Sequence, residues 1–166
     1  MTIVSIDTES IESNKNDAQS MITLLDEELK NAGEEDWKIV FGHFPIYSGG
    51  HHGTSEIIEE RILPIMKNYD VDFYLSGHDH NLQHWVQQGG VRGIDHVTSG
   101  AGGKSEYDIE GGHLAESEER GGELRFFDKH YGFVYFDVSQ DEINVQFVND
   151  ASGHFQVLYE FTRSRY

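Results

Sequence analysis

Three short apolar runs alternate with two amphipathic segments in the first hundred residues, and this alternation constrains the fold more than any other feature. Residues 3–6, 37–41 and 72–75 each read as a brief buried strand. Between the first two, Asn16 or Asp17 can cap a helix running to about Asn31, with Gly33 just past its end. Met21, Ile22, Leu24, Leu25 and Leu29 line one face of it. Between the second and third, Thr54 or Ser55 can cap a helix through about Asn68, striped by Ile57, Ile58, Ile62, Ile65 and Met66. Pro64 falls inside that helix, where its ring favours a kink. Strand, helix, strand, helix, strand is the order that builds a parallel sheet with helices packed on it. The pattern then changes. Residues 100–122 are rich in Gly and Glu with few apolar positions, which reads as a long loop. Three β-like runs follow at 132–138, 142–148 and 155–161, separated by the turn-like SQD and NDASG. An α/β half over residues 1–99 thus leads through an acidic loop at 100–123 into an antiparallel tail at 124–166.

The 166 residues suit one domain or part of a larger one. Thirty acidic against twelve basic side chains give a formal charge of −18. That sign argues against DNA, RNA or an anionic membrane surface as the main partner. No run approaches the length that spans a bilayer. The opening MTIVSIDTES lacks the basic and apolar regions of a signal peptide. Cysteine is absent, which excludes disulfides and thiolate metal sites. The compartment stays open, and no N-x-[ST] sequon bears on it.

Histidine is over-represented, with ten residues, and five of them directly follow a glycine: His43, His51, His78, His113 and His154. Two of the buried runs end in such a pair. Phe41 is followed by Gly42-His43-Phe44-Pro45, and Leu75 by Ser76-Gly77-His78-Asp79-His80-Asn81. In open α/β sheets, ligands bind outside the carboxyl ends of the strands, so the two loops can face one crevice. Imidazole is the commonest metal ligand. In an extended loop the two-residue spacing of His78 and His80 points both rings the same way, within reach of one metal or of two neighbouring ones.

GHFP followed by GHDHNLQ resembles the calcineurin-like metallophosphoesterases, and more narrowly the C-terminal half of the small, tartrate-resistant type of purple acid phosphatase. Ile6-Asp7-Thr8, Ser99-Gly100-Ala101-Gly102 and the β-rich tail fall where that family has similar segments. GHDH alone is shared across the superfamily, whereas GHDHNLQ with GHFP is more specific. The resemblance implies an α/β fold: part of a β-sandwich flanked by helices, its parallel or mixed sheet leading into antiparallel C-terminal strands. It implies hydrolysis of phosphate monoesters at a dinuclear metal centre, iron paired with iron, zinc or manganese. By position, His43 and His78 would ligate the divalent ion and His80 the other. His52 matches a histidine that contacts phosphate and protonates the leaving group. Neutral imidazoles bind zinc or iron without adding charge that repels a phosphate dianion, and two metals can clamp phosphate oxygens. Asp79 could orient a ligating ring, with Asn81 beside it as a further supporting or substrate-contacting residue. The implied substrates are small phosphomonoesters or phosphoproteins.

The family's upstream ligands lie in GDxG, GDxxY and GNH[DE], yet this chain has no Gly-Asp or Gly-Asn dipeptide. The expectation is therefore a chain carrying only the histidine half of the site, with Met1 not the true start of the fold. Such a chain holds at most one metal, weakly, and an exposed sheet edge favours self-association. Two other classes fit the same residues: a phosphatase-like scaffold that has lost activity, as in relatives that anchor membrane complexes, and a phosphodiesterase or nucleotidase of the superfamily. Family members are often secreted, lysosomal or vacuolar.

Other motifs carry less. Gly102-Gly103-Lys104-Ser105 matches only the end of a P-loop, because the pattern needs glycine where Thr98 stands. The acidic residues from Glu106 to Glu119 lack EF-hand spacing. His84, His96, His113, His130 and His154 have no partnering motif and read as structural or surface residues.

Overall fold

The computed structural model describes residues 1–34, 37–87 and 92–165. The elements run β1 (Thr2–Ser5), α1 (Thr8–Glu12), α2 (Ala18–Asn31), β2 (Lys38–Phe41), α3 (Glu56–Asn68), β3 (Phe73–Ser76), β4 (Leu82–Gln87) and β5 (Asp95–Ser99). Then follow α4 (Gly111–Glu119), β6 (Gly122–Asp128), β7 (Gly132–Val138), β8 (Glu142–Asn149) and β9 (Gln156–Ser164). Six strands form one sheet in the order β1-β2-β3-β5-β4-β6, and β7-β8-β9 form a second. Strands β1, β2, β3 and β5 are mutually parallel, whereas β4 runs antiparallel to both β5 and β6. The second sheet is wholly antiparallel.

The apolar runs are continuous because the inner strands are covered on both faces. Successive side chains point to opposite faces of a strand. Val40 and Tyr74 join Leu25, Leu29, Ile58, Ile62 and Met66 in a core between the large sheet and the helices. Their neighbours Ile39 and Phe73 turn the other way, against Ile143, Val145 and Phe147 of β8. The fold is a two-sheet sandwich with α1, α2 and α3 on the outer face of the large sheet. Each fully buried side chain of this size contributes about 2 kcal/mol.

A polar cluster also bridges the sheets. Arg163 on β9 donates to Asp72 at 3.1 Å, to Asp95 at 2.6 Å and to the Gly93 carbonyl at 3.0 Å. His84 bonds Asp95 through Nε2 at 2.9 Å and Tyr159 through Nδ1 at 3.0 Å. Burial alone raises the Asp95 pKa, but the His84 hydrogen bond and the Arg163 charge outweigh it and hold the carboxyl below its usual range.

The helix boundaries fall close to those expected. Ser55 is the N-cap of α3, its hydroxyl accepting from the Ile58 amide at 3.3 Å, and α3 runs through Pro64. Asp17 sits at the N-cap of α2 but makes no side-chain cap bond. The 100–123 segment departs from the expected loop. Helix α4 forms inside it, and β6 begins at its end and joins the large sheet rather than the tail. No apolar stripe announces α4. Tertiary polar contacts hold it: the Ser117 hydroxyl donates to the Ser48 carbonyl at 2.9 Å, and Arg120 pairs with Glu56 and, at 3.0 Å, with Glu59 of α3.

Candidate functional site

The loops after β2 and β3 leave the carboxyl edge of the parallel sheet side by side. The Gly42 amide donates to the Leu75 carbonyl at 3.1 Å, and the Gly77 amide to the His43 carbonyl at 3.0 Å. From the other side, the buried Thr8 hydroxyl accepts from the His43 amide at 2.8 Å and the Phe44 amide at 3.1 Å. Any Cβ on residue 42 would stand 2.4 Å from the Thr8 methyl, so only glycine lets the chain pass.

His43 Nε2 and His78 Nδ1 face each other at 3.0 Å. The His52 ring packs on His78 with centroids 4.1 Å apart. Burial, then the neighbouring His52 and His43, push the His78 pKa down to about 4, against the opposing pull of Asp79. His78 is thereby neutral at ordinary pH, the form that binds a metal. Its backbone is left-handed, with φ of +63°, a conformation that costs energy in a non-glycine residue. The extended loop expected at 78–80 is therefore absent, and the two rings take different partners. His80 turns toward the segment that follows β5: its Nδ1 bonds the Ser105 carbonyl at 2.9 Å, and its ring stacks on Tyr107 at 4.3 Å. His43, His52, His78 and His80 nonetheless line one cleft of about 880 Å³, with Lys104 and Tyr107 on its wall.

The His43–His78 pair suits two nitrogen donors on one cation. Among the described residues no group of three or more His, Asp or Glu side chains could hold a metal ion.

Among the described residues, the Asp79 carboxylate bonds no histidine ring. It is fully buried; its Oδ1 accepts the His52 amide at 3.0 Å, and its Oδ2 accepts the Ser48 hydroxyl. Asn81 is buried too, accepting from Gln83 Nε2 at 2.7 Å. Of the remaining histidines, His84 and His96 are buried in strands, while His113 donates from Nδ1 to the Gly50 carbonyl at 2.7 Å beside the site. Sequence reasoning assigns Thr8, Ser48, Gln83 and Tyr107 no individual role. Thr8 and Gln83 do fall in segments that carry the resemblance, and Asp79, Asn81 and Gln83 alternate along a chain entering a buried strand.

Residues 2–82 match the family model of the calcineurin-like phosphoesterases, and this chain belongs to that family. Within it, the similar sequences are purple acid phosphatases. Purple acid phosphatase 3 of Arabidopsis thaliana is 38% identical over 128 residues, which is 77% of this chain and 32% of that protein. Human tartrate-resistant acid phosphatase type 5 is 33% identical over 143 residues, 82% of this chain and 40% of that protein. The chain thus spans about a third to two fifths of the length of these relatives. Among solved structures, GAP50, the anchor in the inner membrane complex of Plasmodium, superposes with a TM-score of 0.75 at 26% identity, covering 98% of this chain and 48% of that one. The purple acid phosphatase PPD1 of yellow lupin seeds gives a TM-score of 0.70 at 20% identity, over 87% of this chain and 28% of that one, and shares the fold.

Proposed function

We propose that this chain contributes the histidine side of a metal-dependent phosphoric monoester hydrolase, an acid phosphatase. The observation that carries the reading is the 3.0 Å approach of His43 Nε2 to His78 Nδ1 across two strand-end loops. The acid phosphatases among its relatives support it. In this reading His43 and His78 hold the divalent ion and His80 the second, which is iron beside iron, zinc or manganese in a complete centre. When bound, the metals supply positive charge to the phosphate oxygens and Lewis acidity at phosphorus. His52, packed on His78 at the cleft wall, delivers a proton to the departing alcohol oxygen. Lys104 faces the same cleft and offers a cation to the phosphate.

This chain alone holds at most one ion, weakly, through His43 and His78. The substrates are small phosphomonoesters or phosphoproteins. The strongly acidic surface disfavours nucleic acid, and among the described residues no helix is long and apolar enough to cross a membrane. Ile3 on the edge strand β1 and Phe41 on β2 are 52% and 40% exposed, which favours self-association there. A second reading, a non-catalytic scaffold, draws on the 98% coverage by an anchor protein and on the lack of a three-donor group among the described residues.

Calorimetric titration with Zn²⁺, run beside an aryl phosphate hydrolysis assay, separates these readings. The proposal expects one weak site that His43→Ala abolishes and little turnover. Two tightly held ions with rapid hydrolysis overturn the half-site reading. No metal uptake overturns the metal role and favours the scaffold.

A further inference from the structure

The turn that carries His52, residues 48–53, belongs to no helix or strand, yet it is held more tightly than its sequence suggests. Two side chains from the second histidine loop and the start of β4, Asp79 and Gln83, and the turn's own Ser48 accept its backbone amides. Gln83 Oε1 accepts the Gly49 amide at 2.9 Å and the Trp85 indole N–H at 2.8 Å. Indole can only donate, so the Gln83 amide is oriented with its NH₂ toward the Ser48 hydroxyl, at 2.8 Å, and Asn81 Oδ1. The Ser48 hydroxyl also accepts the Gly50 amide at 3.0 Å. Both of its lone pairs are then occupied, and its one proton has a single destination, Asp79 Oδ2. The other carboxylate oxygen of Asp79 takes the His52 amide at 3.0 Å. Asp79, Ser48 and Gln83 are each fully buried. The fit leaves no slack: a Cβ on residue 50 would lie 2.6 Å from Asn81 Nδ2 and 2.8 Å from the Asp79 carboxyl.

We infer that Asp79, backed by Ser48 and Gln83, is the positioning residue that fixes His52 at the cleft. Asp79 sits between His78 and His80 in sequence, so one loop supplies metal-type ligands on its exposed side and, from its buried side, sets the proton donor over them. The role assigned to His52 rests on the phosphatase reading; the positioning itself does not. A side chain that must transfer a proton gains from a backbone fixed in advance, because small displacements cost large factors in rate. Asparagine cannot replace the carboxylate. Its NH₂ would face the His52 amide in one orientation and the Ser48 proton in the other, donor against donor in either case.

The test uses the 166-residue chain and needs neither metal nor substrate. In Asp79→Asn and in Ser48→Ala, exchange of the His52 amide proton accelerates at least tenfold, the His52 and His78 ring resonances shift, and the amides of Val40 and Tyr74 keep their protection. Ser48→Thr, which retains the hydroxyl, restores the slow exchange. Unchanged protection at His52, or acceleration spread evenly over the strands, overturns the inference. Should Asp79→Asn fail to fold, the Ser48→Ala and Ser48→Thr pair decides by the same criterion. Zinc titration of the unaltered chain tests the phosphatase reading separately, so either idea can fail alone.

Discussion

Two sets of histidines occupy this molecule, and the contrast between them shows what decides the use of an imidazole. His84 and His96 lie inside strands β4 and β5 and are buried. His43, His52, His78 and His80 stand on loops and line an open cleft. In the interior, His84 has each ring nitrogen engaged by a fixed partner, Asp95 on the adjacent β5 and Tyr159 on β9 of the facing sheet. Among the described residues His96 has none: both of its nitrogens lack a partner, and it packs among rings, with Tyr47 at 5.0 Å and Tyr74 at 5.9 Å. In the cleft, His43 and His78 turn nitrogens toward each other, an arrangement that a cation can join. Residue type is the same throughout. What differs is whether the histidine lies within a strand or on a loop beyond a strand's end; a glycine precedes His43 and His78 but not His52 or His80.

The largest effect expected on this contrast is at the interior partner of His84. Asp95→Ala leaves Arg163 and His84 facing each other without the carboxylate between them, and removing one partner of a buried charged cluster costs about 3–5 kcal/mol. The drop appears as a lower urea midpoint, while Zn²⁺ uptake at the cleft stays the same in whatever fraction remains folded. If the midpoint barely moves, the sheets are held by their apolar core alone and the partners of His84 do not set the interior histidines apart.

His96 gives the next effect, through acid. Burial pushes its pKa down to about 3, while in the unfolded chain it titrates near the ordinary 6.5. Between those values the unfolded state takes up a proton that the folded state refuses, so stability is intact above pH 6.5 and falls as pH drops toward 3. From pH 7 to 4.5 the loss from this residue is about 2.5 kcal/mol. Lys67 and His84 add to the depression and Asp95 opposes it. His96→Leu removes the two unpartnered nitrogens and flattens the pH dependence by that amount, as read from urea midpoints at the two pH values. An unaltered slope would mean that water or a partner reaches the ring.

Much of this contrast is legible in the sequence. The strand-end positions of His43 and His78 follow from continuous apolar runs broken by glycine, and the tail hairpins from alternation between turn-like separators. Strands β7, β8 and β9 start and end within a few residues of the runs read from sequence. What stays hidden there depends on contacts between distant segments. Helix α4 is held by Ser117 against Ser48 and by Arg120 against α3, so its own sequence carries no apolar stripe to find. The left-handed turn at His78 is imposed by the two loops locking together, and it sends His80 to Tyr107 instead of to its neighbour. Asp79 reads as an ordinary loop acid until the turn it holds comes into place behind it.

At the cleft the expected effects are on binding rather than stability. His43→Ala and His78→Ala each weaken Zn²⁺ uptake at least tenfold, about 1.4 kcal/mol, because a site with two nitrogen donors cannot lose one and persist. Thermal midpoints stay close to that of the unaltered chain, since the His43–His78 contact relieves no buried charge. Equal losses of stability here and at Asp95 would erase the distinction between the two sets.

The smallest effect separates the cleft from its own rim. His51 adjoins His52 in sequence and follows a glycine as His43 and His78 do, but it points outward, its Nδ1 2.9 Å from Glu110 Oε1, with the two side chains 56% and 49% exposed. A pair so exposed is screened by water and contributes about 0.5 kcal/mol or less. His51→Ala therefore leaves both the urea midpoint and Zn²⁺ uptake nearly unchanged, although the residue satisfies the same Gly-His rule. A large loss of metal in this variant would move the binding site outward to the rim shared with Glu110 and His113, and the 3.0 Å approach of His43 to His78 would then be packing, not preparation for a cation.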